Sequence, residues 1–376
     1  MNEDRAARYH RLKRRAAVLS TMAAGVWLVL LLATGAGAWL AGVSAAAGAA
    51  APRLLSHATA VVLFVLLVAA GWEILSFPFA VYRSFLLERK YGLSSEPFST
   101  WAGDHAKAAA LGLVLCIGAG LLVHGAVEMS PRFWWLIAAA GFAVAAVVLS
   151  RIAPVALLPM FYRFKPLDRA SLHERLLRLS ERAGVPVLGA FEWGLGEKTT
   201  RANAALVGAG GTRRILVSDT LLKDYSDDEI EVILAHEIAH HVHHDIWTGM
   251  ALETCLVAVA LYAAHLAVVL GSPRLGLADP GDLAAWPLMM LAGGVVSLLL
   301  TPLGNAWSRH NERRADRFAL TLTDRPAAFI SAMRRLGAQN LADERPSAAT
   351  LWFFHTHPTI EERIEAARQF ETRTDS

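Results

Sequence analysis

Leu234-Ala235-His236-Glu237-Ile238-Ala239-His240 defines one helix of this 376-residue chain and, through it, the kind of domain that must surround that helix. A helical turn takes 3.6 residues, so His236 and His240 project from one face, a turn apart. Two neutral imidazoles so placed can share one Zn²⁺, and Glu237 lies close enough to act on a water at such a metal. The preceding residues favour a helix. Ser226 with Glu229 three residues later makes a capping box, and Asp227, Asp228 and Glu229 suit the positive end of the helix dipole. Ile230, Ile233 and Leu234 then supply an apolar face leading into the histidines.

A hydrolytic zinc site needs a third protein ligand and one open position. The best source is Ser308-Arg309-His310-Asn311-Glu312-Arg313-Arg314-Ala315-Asp316. Glu312 and Asp316 share a helical face, which places one carboxylate on the metal and the other within reach of a ligand histidine's free N–H. The competing explanation is a solvated, charge-rich helix start. His241, His243 and His244 crowd the motif. They read as cover for the outer faces of the helix, with a metal relay as the alternative. Cys116 and Cys255 both fall in apolar runs and offer neither a disulfide framework nor a thiolate site.

Outward from the motif, the chain is that of a membrane protein. It is 55% hydrophobic and 18% charged, against an ordinary share of about 25% charged. The missing charge is concentrated in long apolar runs. A basic amino terminus (Arg5, Arg8, Arg11, Lys13, Arg14, Arg15) precedes a charge-free run from Ala16 to Pro52. That run holds one span, with its Ala/Gly-rich tail after Leu40 expected as a loop. Further spans are expected at about Leu54–Val81, Ala108–Val127, Phe133–Leu158, Gly249–Leu270 and Leu283–Leu303. The Arg83–Lys107 segment between the second and third reads as a polar loop. Lys and Arg at the span ends orient all six consistently, with both termini and the zinc motif cytoplasmic. The net charge of +3 belongs to these flanks and does not suggest nucleic acid. Within the spans, Glu73, Glu253 and His265 either line a hydrated cavity or snorkel.

From Arg163 the composition is that of a soluble domain. Leu172, Leu176 and Leu179 mark one face of a helix, Val185 to Trp193 is strand-like, and Asn203–Val207 with Arg213–Ser218 reads as a hairpin around Gly208–Gly211. The expected division is a four-span membrane region (1–162), a zinc domain (163–248), a transmembrane hairpin (249–303) and a carboxyl part with the third ligand (304–376).

Several further stretches stand in a recognisable order. They are Glu88-Arg89-Lys90-Tyr91-Gly92-Leu93-Ser94 with Asp104 and Lys107, Pro154 with Phe164-Lys165-Pro166-Leu167, Asn203-Ala204, Arg214-Ile215-Leu216-Val217, and Asp219-Thr220-Leu221-Leu222. Asp245 after the zinc helix, Ser308-Arg309, Glu312, Ala315-Asp316, His357-Pro358 and Glu362-Arg363 complete the set. Over most of its length the chain thus resembles the type I CAAX prenyl endopeptidases, the a-factor-converting zinc metalloproteases of membranes. The resemblance implies a mainly α, integral membrane fold of about six transmembrane helices plus a gluzincin-type α+β zinc protease domain with a small antiparallel sheet. It implies one Zn²⁺ per chain on His236, His240 and Glu312, with Glu237 as base and Asp316 as the carboxylate behind a ligand. It further implies that Asn203 and Ala204 lie on the edge strand that binds substrate, and that His357 steadies the oxyanion. The chain departs from the eukaryotic members, which have seven spans, five of them before the zinc helix. It also lacks the long acidic insertion that some members carry before the zinc helix and has no dilysine retrieval signal, and so looks more like a compact bacterial relative in the cytoplasmic membrane.

The function expected on these grounds is peptide hydrolysis by a membrane-embedded zinc endopeptidase. Its partners would be membrane lipids and a peptide or protein, with or without a lipid, added as a strand along Asn203–Val207. Two alternatives stand beside it: an HtpX-like quality-control protease, whose group generally has two spans before the zinc helix, and a non-enzymatic metal-binding protein or transporter, in which Glu237 would have no purpose.

Overall fold

A computed structural model describes residues 5–208, 210–277 and 279–374. In chain order the membrane half consists of α1 (Arg5–Ala33), α2 (Ala36–Ala50), α3 (Ser56–Ala80), α4 (Leu87–Lys90), α5 (Phe98–Met129), α6 (Trp134–Ile152) and α7 (Leu158–Phe161). There follow β1 (Phe164–Pro166), α8 (Ala170–Arg182), β2 (Ala190–Trp193), β3 (Ala204–Val207), β4 (Arg214–Ser218), α9 (Asp219–Asp224) and α10 (Asp227–Val242). The remainder is helical: α11 (Asp245–Leu275), α12 (Trp286–Thr323), α13 (Pro326–Gln339), α14 (Ala348–Phe354) and α15 (Ile360–Thr374).

Among the described residues, six helices are long and apolar enough to cross a membrane, and they coincide with the six expected runs. They are longer than the bilayer requires. The 38 residues of α12 rise about 57 Å at 1.5 Å each, against a hydrocarbon core of about 30 Å. The helix therefore carries its apolar half through the membrane and delivers Glu312 and Asp316 beyond it without a break. Likewise Arg83–Lys107 is mostly helical, with only residues 91–97 forming a connection. α3 passes after Pro78 into π turns over Val81–Leu86 and then α4, while α5 already begins at Phe98. Proline removes one i→i−4 bond, and the ladder re-forms with a wider turn.

The Ala/Gly-rich tail after Leu40 is also a helix, α2, because alanine is the strongest helix former. At 15 residues it is about 22 Å long, too short to cross. Gly37 near its start lies against Pro287, and Gly48 near its end against Ser56 and Ala60. Those partners begin α12 and α3, so α2 lies across the end of the bundle remote from α10.

Two of the three ionisable residues within spans find protein partners. Glu73 meets His105 at 2.7 Å, and Nε1 of Trp134 donates to Nδ1 of His265 at 3.1 Å. Glu253 lines a cavity described below.

The four strands form one sheet in the order β1-β2-β4-β3. β3 and β4 make the antiparallel hairpin, Ala204 opposite Val217; Ala209 of its turn lies outside the described residues. The sheet as a whole is mixed, because β4 runs parallel to β2. β3 is left at the edge. α10 packs beneath with its capping box formed, and Ile230, Leu234 and Ile238 are buried with Leu172, Leu176 and Leu179 of α8.

The basic amino terminus has a structural task beyond setting orientation. Tyr9 donates to Glu88 at 2.5 Å, Lys13 at 2.9 Å and Arg201 at 2.8 Å, so one buried carboxylate joins α1, α4 and the segment leading into β3. Gly92 turns the chain at φ +67°, a region costly for residues with a Cβ. Ser94 then donates to the Lys198 carbonyl at 2.6 Å, and Thr200 N–H to the Leu93 carbonyl at 3.0 Å. Arg14 reaches Asp343 at 2.8 Å, 329 residues away. These contacts seat the protease half on the membrane helices.

Candidate active site

α10 presents His236 and His240 on one face, their ring centroids 5.0 Å apart. Glu312 of α12 faces both, with Oε2 at 3.2 Å from Nε2 of His236 and Oε1 at 3.5 Å from Nε2 of His240. One atom from each of the three lies within 4.8 Å of the others. Glu312 Oε2 is buried. His357 Nδ1 lies at 2.8 Å and His236 Nε2 at 3.2 Å, yet neither is aligned, and the oxygen makes no hydrogen bond. A desolvated carboxylate oxygen without a bond is expensive. The Nε2 atoms of His236 and His240, facing the two oxygens of this carboxylate, form the kind of donor set that Zn²⁺ takes. The residues present therefore fit a zinc ion.

The other nitrogen of each imidazole is held from behind. Nδ1 of His236 meets Oδ1 of Asp316 at 2.8 Å, and Nδ1 of His240 meets Oδ2 of Asp245 at 2.8 Å. These contacts fix ring orientation and raise the basicity of Nε2. Both carboxylates are themselves clamped. Arg363 donates to Asp316 through Nε at 2.8 Å and Nη2 at 2.5 Å, and Arg314 pairs with Asp245. Burial disfavours a charged His236, but the carboxylates of Asp316 and Glu312 outweigh it and lift its pKa to about 9. Burial pushes the Glu237 carboxyl up from the usual range, against the pull of the two imidazoles.

Glu237 stands where two spaces meet. On one side is a cleft of about 620 Å³ lined by Asn203, Ala204, His236, His357 and, from the amino terminus, Lys13 and Arg14. On the other, a cavity of about 1200 Å³ runs between α6, α11 and α12, past Phe142, Met250, Glu253 and Leu300. Beyond it, Val257 and Ser297 also line an almost wholly apolar cavity of about 610 Å³, walled by Trp27, Phe64, Trp72 and Trp286.

Of the residues singled out for the site, Asn203, Ala204, His236, Glu237, Glu312 and His357 line the cleft, His240 lines the cavity between the membrane helices, and Asp316 backs His236. His241 is not on an outer face. Its Nε2 bonds the Leu206 carbonyl of the edge strand at 2.9 Å, and His243 packs edge-on to Phe318. Sequence reasoning assigned no role to Asp245, Arg363, Arg314 or Arg309, although the first, second and last lie in the stretches carrying the resemblance. Arg309 donates to the Leu351 and His355 carbonyls at 3.0 and 2.6 Å, which pins the bend bearing His357 against α12.

Two family models cover the chain. Peptidase family M48 matches residues 166–371, and the model described as CAAX prenyl protease N-terminal, five membrane helices, matches residues 2–163. The latter stretch holds four membrane-length helices and the short α2. Over 285 residues the chain is 29% identical to a protein named uncharacterized metalloprotease YhfN from Bacillus subtilis (strain 168), covering 75% of this chain and 67% of that one. It is 26% identical over 298 residues to probable CAAX prenyl protease 1 of Schizosaccharomyces pombe, covering 78% of this chain and 62% of that longer protein. The crystal structure of S. mikatae Ste24p shares the fold, with a TM-score of 0.80 at 20% identity over 96% of this chain and 87% of that one.

Proposed function

Since the chain belongs to peptidase family M48 and is an integral membrane metalloprotease by that membership and its helices, we propose that His236, His240 and Glu312 hold one zinc ion and that Glu237 is its general base. A zinc ion there supplies Lewis acidity to a water and to the scissile carbonyl. Glu237 takes the proton from the attacking water on its carboxylate and returns it to the leaving amine nitrogen. Asp316 and Asp245 keep the ligand imidazoles oriented. The substrate lies as an added strand along Asn203 and Ala204, on the free edge that the order β1-β2-β4-β3 leaves at β3.

One observation carries the choice of substrate. Glu237 lines both the cleft beside β3 and the cavity leading between the membrane helices to an apolar chamber. A peptide in the cleft with a hydrocarbon chain in the chamber fills both spaces, so a lipidated peptide is the fitting substrate. The four long helices ahead of α10 favour this over an HtpX-like protease, and membership of a peptidase family sets aside the transporter alternative. The purified protein is expected to cleave a farnesylated peptide with at least tenfold higher kcat/KM than the same peptide without its lipid, and to lose both activities to a chelator. Equal cleavage of the two would remove the lipid from the proposal.

We place both termini and the zinc site on the cytoplasmic side, on the Lys/Arg asymmetry of the loops, and take the membrane to be a bacterial one on the chain's departures from the eukaryotic members. A cysteine introduced at Gly281 should then react with an impermeant maleimide added to intact cells, and one at Gly211 should not. The reverse pattern overturns the orientation.

His357 occupies the bend between α14 and α15, its side chain 62% exposed to the cleft and Nδ1 2.8 Å from Glu312. Pro358 holds it out of helical geometry. We assign it as donor to the negative charge growing on the former carbonyl oxygen, a role worth about 10²–10³ in rate. His357→Ala is expected to lower kcat by about two orders of magnitude, with zinc content and melting temperature nearly unchanged. His355→Ala should do much less. Release of zinc by His357→Ala would instead make the residue a support for Glu312.

A further inference from the structure

A second group of metal-type donors lies at the end of the bundle remote from Glu237. His57 is in the first turn of α3, and His124 and Glu128 close α5. Nδ1 of His57 is 2.7 Å from Oε1 of Glu128, and Nε2 of His124 is 3.4 Å from the same oxygen. The two rings meet edge-on with centroids 5.7 Å apart. One donor atom from each residue lies within 4.8 Å of the others.

The bland explanation is a pair of surface ion pairs. It suits His57 and Glu128, whose side chains are 74% and 53% exposed. It does not suit His124, which is only 17% exposed. Both its ring nitrogens are shielded from solvent, and neither makes a hydrogen bond. A neutral imidazole has one N–H and one lone pair to satisfy, and here Nε2 has only the long 3.4 Å contact to Glu128, which is unfavourable for a shielded nitrogen. A cation bound at Nε2 would satisfy one of them.

The distances to Glu128 suit such an ion. Ligand bonds of 2.0–2.1 Å in a tetrahedron set neighbouring ligand atoms about 3.3 Å apart. His124 and Glu128 already stand at that distance. His57 needs to retreat by about 0.6 Å to match it, and an exposed side chain at a helix start can do so. Behind the group is a cavity of about 680 Å³, floored by Ala41 and Ala45 of α2 and bordered by His57 and His124, with room for a water in the open position.

We propose that His57, His124 and Glu128 form a second site for a divalent transition metal, Zn²⁺ or its neighbours Cu²⁺ and Ni²⁺. Two imidazoles exclude Ca²⁺ and Mg²⁺, which prefer oxygen ligands. With three ligands, two of them exposed, the site binds more weakly than the buried one on α10. Its effect is to tie the first turn of α3 to the last turn of α5. The site stands independently of the catalytic assignment, sharing no residue with it.

The test is equilibrium dialysis of the full chain in detergent against increasing free Zn²⁺, with metal counted by mass spectrometry and melting temperature read alongside. The wild type is expected to take up a second zinc at micromolar free metal, with a rise in melting temperature. His57→Ala and Glu128→Gln, both at exposed positions, should weaken that uptake at least tenfold and abolish the rise. In Glu312→Ala one zinc should remain, and adding His57→Ala should remove it. Unchanged zinc counts in His57→Ala and Glu128→Gln, or uptake of the second zinc only at millimolar metal, would overturn the site.

Discussion

Glu237→Gln is expected to lower peptide hydrolysis by about 10²–10⁴-fold, the usual contribution of a positioned general base, while zinc stays at wild-type occupancy. Glutamine keeps the shape of the side chain and its place between the cleft and the membrane cavity, but its amide cannot accept the proton of a water. The three atoms that converge as a donor group come from His236, His240 and Glu312, and Glu237 is not among them. Metal analysis of the purified variant beside a quenched-peptide assay checks both halves. Loss of zinc would make Glu237 a ligand; retained hydrolysis would move the base elsewhere.

The second large effect separates the two carboxylates of α12. Glu312→Ala is expected to abolish tight zinc binding, because it removes the oxygens at 3.2 and 3.5 Å from the two imidazoles. Asp316→Asn should weaken binding by about 10–100-fold, as changes behind a ligand do. It should also destabilise the fold more than Glu312→Ala does. Asp316 holds the nearly buried Arg363 through two bonds, and breaking a buried ion pair costs about 3–5 kcal/mol. Glu312 faces the imidazoles of His236, His240 and His357 and makes no such pair with an arginine among the described residues, so its removal breaks no doubly bonded buried ion pair. Zinc titration and thermal melts of the two variants in detergent give the comparison. Equal and mild effects on zinc would mean that this part of α12 is only a charged helix face.

Much of this was legible because it is local. The capping box at Ser226 and Glu229, the one-turn spacing of His236 and His240, and the spacing of Glu312 and Asp316 are helix periodicities, and a helix reproduces them wherever it lies. The six spans are equally local, since a charge-free run of sufficient length has few options in a bilayer. The tail after Leu40 was misjudged for a local reason too: its small residues resemble a linker, but alanine's helix propensity prevailed once α3 and the start of α12 offered a surface to pack on.

What the chain's sequence determined by itself was therefore the membrane fold class, the motif helix with its histidine pair, and the Glu312/Asp316 spacing, each carried by short-range repeats. Only the tertiary structure decided which distant groups complete the site. Arg363 on Asp316, Arg314 on Asp245 and His357 beside Glu312 are pairings without a period, made when α15, α12 and the bend after α14 close on α10. The same holds for Glu88, whose partners Tyr9 and Arg201 lie 79 and 113 residues away. A carboxylate in the sequence has no marked partner. It acquires one when packing excludes water and leaves the nearest cation as the means of satisfying its charge.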